Sequence, residues 1–111
     1  MTQIEDLEKI KANFNELLSI SGSNSKFKDH YESVYKDGVL DSKTKRLIAL
    51  CGGIIAGCKG CILGQADHAI NSGATIEEIL EVCSVSLSLG GTLAGSQISM
   101  LIEYLKEKGM L

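Results

Sequence analysis

Cys58-Lys59-Gly60-Cys61 carries the strongest chemical signal in this 111-residue chain. On a first helical turn, side chains at i and i+3 share one side, so the two sulfurs come close enough for a disulfide after small adjustment. The free N–H groups and positive dipole end of a helix start stabilise a thiolate there, and Lys59 adds a nearby cation. Such a pair acts as a two-electron dithiol, one sulfur attacking an oxidant or a disulfide and the other resolving the product. The plainer alternatives are a structural staple and two ordinary buried thiols. Zinc is a further reading, with Cys51, Cys83 or His68 completing a four-ligand set. No second CxxC and no HxxxH exists, and Cys51 and Cys83 fall on apolar helix stripes where Cys packs as a small hydrophobe. No metal is therefore expected. The absence of a glycine-rich nucleotide motif leaves no bound cofactor to expect either, so electrons must come from a partner.

The elements that position this pair read as helix nearly throughout, since there is no Pro and apolar residues recur at a 3.6-residue period. A first helix near Ile4 to Ile20 stripes Ile4, Leu7, Ile10, Phe14, Leu17 and Leu18, and ends at the loop Ser21-Gly22-Ser23-Asn24. A second, about Ser25 to Asp37, aligns Phe27, Tyr31, Val34 and Tyr35 on a narrow face, stops at Gly38 and reads as peripheral. Asp41 or Ser42 caps a third helix that runs to Gly57, where Gly52, Gly53 and Ala56 allow a neighbouring helix to approach closely. The fourth starts near Cys58 or Lys59 and ends at Ser72-Gly73. Thr75 and Glu78 form a capping box at the start of a fifth, which Gly90-Gly91 interrupts or ends, and a last helix covers about Thr92 to Lys106. The expected fold is all-α, about six helices in one domain over residues 1–111.

Composition narrows the partners. A net charge of −3 with no Lys/Arg-rich block gives no footprint for nucleic acid or an anionic membrane. The most apolar run, Leu47 to Cys58, falls short of the about 20 residues that cross a bilayer, and residues 1–20 alternate apolar and charged, unlike a secretory signal. Four Cys without an export signal suit a reducing cytoplasm. A mean hydropathy of +0.12 is high for so small a domain and points to apolar surface buried against another subunit.

Lys43-Thr44-Lys45-Arg46-Leu47-Ile48-Ala49-Leu50, then Cys58-Lys59-Gly60-Cys61-Ile62, Ala69, Gly73-Ala74-Thr75 with Glu77, Glu78 and Ile79, and Gly90-Gly91 follow one another in a specific order and spacing. Over roughly Leu40 to Gly95 the chain resembles the carboxymuconolactone decarboxylase family, in particular its alkylhydroperoxidase D-like (AhpD-like) branch. The resemblance implies an AhpD-like helical protomer, oligomeric as a homotrimer or hexamer, that reduces a peroxide or disulfide substrate through the CxxC and is regenerated by an external dithiol reductant. It further implies that Cys61 attacks and that Cys58 resolves and becomes exposed for reduction. Position alone ranks them the other way, with Cys58 nearer the helix start, more exposed and better stabilised.

In the AhpD-like scheme the inner Cys is activated by a His four residues after it and a Glu about fifteen before it; here Gln65 and Arg46 stand at those positions. Gln65 can orient a water but takes no proton near neutral pH. Arg46 stabilises a thiolate if it points inward, the alternative being an exposed salt-bridging residue. His68, seven residues after Cys61, shares its helical face about 10 Å along the axis and could act through water or in a neighbouring subunit's site. Asp67 reads as solvated, and His30 has no motif support.

Three functions compete on these residues. A CxxC-dependent peroxidase or thiol–disulfide oxidoreductase comes first. Decarboxylase-type chemistry on a small lactone acid, and a non-enzymatic redox-sensing or metal-binding oligomer, are the alternatives.

Overall fold

The architecture is set by its helix caps and one kink. The computed structural model describes residues 2–20 and 22–111, so Ser21 of the first loop lies outside the described residues. Among them the chain forms α1 (Gln3–Ile20), α2 (Asn24–Val34), α3 (Ser42–Ala56), α4 (Lys59–Asn71) and α5 (Ile76–Glu107). The last of these is two helical arms joined at a kink, so the expected interruption at Gly90-Gly91 is present and the two final helices run on as one bent element. Gly91 takes φ 57°, ψ −139°, a conformation that costs only glycine little, and helical hydrogen bonding resumes on either side.

Local chemistry starts most helices. Asp41 accepts from the Thr44 N–H at 2.8 Å and begins α3. Thr75 Oγ1 accepts from the Glu78 N–H at 3.1 Å while Glu78 Oε1 accepts from the Thr75 N–H at 2.9 Å, so the capping box opens α5 as expected. The start of α1 is closed from the other end of the chain, where the Glu107 carboxylate accepts from the N–H groups of Gln3 and Ile4 at 3.1 and 2.9 Å. α2 stops at Val34, before Gly38. The Lys45 ammonium donates to the carbonyls of Val34 and Lys36 at 2.9 and 2.7 Å and satisfies that helix end without a left-handed glycine.

α3, α4 and α5 make the core. Leu50 and Ile54 meet Ile62, Leu63, Ala66 and Ala69 across the α3–α4 hairpin, and Ile79, Leu101, Tyr104 and Leu105 of α5 close the layer. Only the first half of α1 joins them, through Leu7; farther along, Phe14 and Leu17 are exposed. The second half of α1 stands off with α2, and the gap between that pair and α4 is a cavity.

α5 is long and apolar enough, by length and composition alone, to cross a membrane, and in sequence it reads as two shorter pieces. Gly91 divides it into two arms, each shorter than the about 20 residues a bilayer requires, and Ile79, Leu101 and Leu105 lie in the protein core.

Candidate active site

Gly57 makes the site possible. At φ 69° it ends α3, and the next N–H, that of Cys58, bonds back to the Gly53 carbonyl at 3.1 Å. Cys58 is thereby the N-cap of α4, in extended backbone, and its Sγ accepts from the Cys61 N–H at 3.2 Å. The two Cα atoms are 5.2 Å apart and the sulfurs are joined as a disulfide. The hydrogen bond agrees with the expected stabilisation of a Cys58 thiolate, but the expected exposure is reversed. Cys58 folds back over the first turn and is half-buried, whereas Cys61 is exposed. Lys59 is also redirected: its ammonium is hydrogen-bonded to Asp6 of α1, which holds the Asp6 carboxyl below its usual range, so that its charge is shared with a carboxylate.

The disulfide lies on the wall of the α1–α2–α4 cavity, a space of about 620 Å³. Leu7, Ile10, Phe14, Leu18 and Phe27 supply its apolar side; Arg46, Gln65, Tyr31 and His68 supply its polar one. All five residues named from the sequence therefore line one cavity: Cys58, Cys61, Gln65, Arg46 and His68.

Arg46 points inward and has no carboxylate within 4 Å among the described residues, which removes the exposed ion-pair reading. Its Nη1 donates to Tyr31 Oη at 2.8 Å and to Gln65 Oε1 at 3.1 Å, and its guanidinium carbon lies 3.7 Å from the centroid of the Tyr35 ring. Gln65 Nε2 donates to Tyr31 Oη at 2.7 Å and closes the triangle. Burial raises the Tyr35 hydroxyl above its ordinary pKa.

Tyr31 is the member of this hydrogen-bonded group that sequence reasoning missed. Phe27, Tyr31 and Tyr35 form an aromatic ladder at i, i+4 and i+8, with Phe27 also edge-on to Phe14 at 6.2 Å. That ladder was readable as more than a peripheral stripe, since a phenol needs a hydrogen-bond partner when it packs inward.

Burial holds the His68 imidazole below its ordinary pKa, with Arg46 and Lys11 adding to the effect and Asp67 opposing it. Asp67 itself is not solvated. It pairs with Lys11 at 2.7 Å and Lys108 at 3.7 Å and accepts from Tyr104 at 3.3 Å; burial pushes its pKa up, but these partners bring it below the usual carboxylate range. His30 is exposed on α2. Cys51 and Cys83 are unpaired thiols; Cys83 is buried, which pushes its pKa up to about 11, and Cys51 Sγ accepts from Ser86 at 3.2 Å. Among the described residues no group of three or more His, Cys, Asp or Glu side chains is arranged to hold a metal ion.

The family model described as the carboxymuconolactone decarboxylase family matches residues 24–97, which include Tyr31, Arg46, Cys58, Cys61, Gln65 and His68. The chain belongs to the carboxymuconolactone decarboxylase family. A crystal structure of a Thermotoga maritima protein superposes with a TM-score of 0.83 at 30% identity, over 93% of this chain and 92% of that one. A second structure of the Thermotoga protein, described as a family member with a possible part in antioxidative response, gives 0.75 at 25% identity over 96% and 97%. The apo form of a family protein from Legionella pneumophila gives 0.71 at 29% identity over 94% and 88%. A protein of the Paracoccus denitrificans cox locus, itself uncharacterized, is 34% identical over 74 residues, 67% of each chain. In this family member the all-helical fold and the CxxC disulfide stand together on one cavity.

Proposed function

We propose that the protein is a thiol-dependent peroxidase that reduces an organic peroxide, with disulfide exchange as its second activity, and that an external dithiol regenerates it. The observation that carries this reading is the Cys58–Cys61 disulfide on the wall of an apolar cavity toward which Cys61 is exposed. Cys61 thiolate attacks one peroxide oxygen, the O–O bond breaks, and the alkoxide leaves. Tyr31 protonates it and regains its proton through water from the His68 imidazolium that took the Cys61 proton. Both acceptor positions of Tyr31 Oη are taken by N–H donors from Arg46 and Gln65, so its own hydrogen is free for the cavity. Cys58, whose thiolate is held by the Cys61 N–H, loses its proton to solvent and attacks the Cys61 sulfenic acid; the departing hydroxide takes a proton from solvent and leaves as water, and the disulfide closes. Two thiols are oxidised and the peroxide becomes alcohol and water. The external dithiol restores both thiols by two exchange steps and leaves as its own disulfide.

Arg46 and Gln65 stand where the relay's acid–base pair would be, and neither moves a proton: both hold Tyr31 in place, while neutral His68, about 10 Å along α4, takes the Cys61 proton through water. Slow turnover follows from that indirect path. The reading puts the enzyme in the cytoplasm, where a dithiol pool is available, and as a homotrimer or hexamer that covers the exposed apolar residues of α3 and α5. Peroxide consumption in a dithiol-coupled assay, with mass spectrometry after one equivalent of hydroperoxide, tests it. Loss of turnover in both Cys58→Ser and Cys61→Ser is expected, with a sulfenic acid trapped on Cys61 in the first. Parent-like rates in both variants, or turnover of a carboxylated lactone with the thiols alkylated, would sink the reading.

A further inference from the structure

Arg46 has one edge in use and one edge open. Nη1 gives its two hydrogens to Tyr31 Oη and Gln65 Oε1. Nε and Nη2, the edge that forms a two-pronged fork on a carboxylate, have no acceptor among the described residues, and neither is sealed from solvent. The Tyr35 ring at 3.7 Å and the two hydrogen bonds hold the guanidinium plane in one orientation. A planar fork so held loses little freedom when it binds an oxyanion.

The surroundings say what else that oxyanion carries. The cavity measures about 620 Å³, in the range of sites that enclose small organic ligands, and Leu7, Ile10, Phe14, Leu18 and Phe27 make one side of it apolar. Lys28 adds a second cation to the wall. Glu32 is the wall's carboxylate and lies beyond 4 Å from Arg46, whereas Lys11, also on the wall, is engaged by Asp67. An apolar acid matches this distribution, its hydrocarbon against α1 and α2 and its carboxylate on Arg46. Hydrogen peroxide uses neither feature.

We infer that the open edge of Arg46 is a carboxylate-binding site and that the enzyme's oxidant is an apolar organic hydroperoxide bearing a carboxylate. The second half of this inference rests on the peroxidase reading above; the first half does not. In the reaction the carboxylate is unchanged: the hydroperoxy acid becomes the hydroxy acid, water is released, and the two electrons come from Cys58 and Cys61.

An inert probe separates the two halves. Octanoate and octanamide have the same hydrocarbon and differ in charge. Calorimetric titration of the whole protein at fixed ionic strength is expected to show octanoate binding about tenfold or more tightly, as a charge-assisted fork predicts. Arg46→Met removes that preference, and Arg46→Lys, which keeps the charge without the fork, retains part of it. A matched hydroperoxy acid and its methyl ester are compared in the dithiol-coupled assay, where the kcat/KM ratio of acid to ester falls from about ten to near one in Arg46→Met. Equal binding of octanoate and octanamide to the unaltered protein overturns the site, and requires no variant to fold. Preference for octanoate persisting in Arg46→Met of native circular dichroism also overturns it. If octanoate binds through Arg46 but neither hydroperoxide is consumed, the anion site stands and the hydroperoxide assignment falls together with the peroxidase reading. If both hydroperoxides are consumed equally, the peroxidase reading stands and the carboxylated oxidant is wrong.

Discussion

Gly53 of α3 lies against Cys61 of α4 so closely that a Cβ placed on it would sit 3.1 Å from the Cys61 Cβ and 3.2 Å from the Cys61 carbonyl carbon. The first turn of α4, which presents the reactive pair, thus rests on a bare patch of α3 backbone. Gly52, its neighbour, has no atom within 4 Å of the corresponding position. The sequence reading joined the two glycines in one close-packing stretch; only Gly53 serves that purpose.

Alanine at the two positions should therefore act in opposite directions. Gly53→Ala forces α4 outward by a few tenths of an ångström and costs about 1–3 kcal/mol, more than its gain in helix propensity. Gly52→Ala adds no contact within its own chain and gains about 1 kcal/mol of propensity there. Thermal unfolding checks this, at about 4 °C per kcal/mol for a domain of this size. A melting temperature lowered by Gly52→Ala, or raised by Gly53→Ala, contradicts the packing.

Tyr31→Phe separates a proton donor from a strut. The variant leaves donors of Arg46 and Gln65 without their shared acceptor, so some loss of stability is expected whatever the role. Proton donation to the leaving alkoxide predicts something further. Loss of kcat/KM should be largest, about 100-fold, for an alkoxide leaving group such as that of tert-butyl hydroperoxide, and small for a peroxyacid, whose carboxylate leaves without a proton. Equal loss on both oxidants shows that Tyr31 only holds the pocket.

What was legible in the chain was local. Asp41 and Thr75 cap the helices they precede, Glu78 completes its box, and Cys58 starts α4, because each of these hydrogen bonds closes within three residues. The five candidate site residues share a cavity for a similar reason: four lie on α4 or at its cap, and Arg46 belongs to the adjoining arm of the hairpin. Several of the misreadings come from contacts over longer separations. Lys45 ends α2 from eleven residues away, Asp6 takes the Lys59 charge across 53, Lys11 takes Asp67 across 56, and Tyr31 reaches Gln65 across 34. Helical periodicity tells which residues turn inward, not which partner awaits them.

Leu89 and Leu93 flank the α5 kink with 72% and 70% of their surface exposed, while Ile48 and Ile55 of α3 are also open to solvent. So much apolar surface on a chain this small is expected to be covered by further copies. Sedimentation equilibrium should give a mass of three or six chains for the parent, and Leu89→Glu with Leu93→Glu should reduce it toward one. A parent that sediments as a single chain at micromolar concentration contradicts the expected assembly.

His68 should make stability fall as the solution is acidified from about pH 7 to 5.5. An unfolded chain binds a proton at His68 near pH 6.5. In the fold, burial and then the charges of Arg46 and Lys11 hold its pKa lower, against the opposing pull of Asp67. The unfolded state therefore binds more protons than the native state through this interval, and the slope of unfolding free energy against pH is positive. The stability is intact above the unfolded pKa and is lost as pH drops toward the folded one. The lowered carboxylates, Asp67 and Asp41 among them, add their own losses at more acidic pH. His68→Gln cannot titrate, so its melting temperature should change less between pH 7.5 and 5.5 than the parent's does. The same substitution should flatten the pH dependence of Cys61 oxidation over that interval if neutral His68 takes the thiol proton through water. A variant that keeps the parent's slope in both measurements would show that His68 neither titrates in the buried state nor serves the thiol.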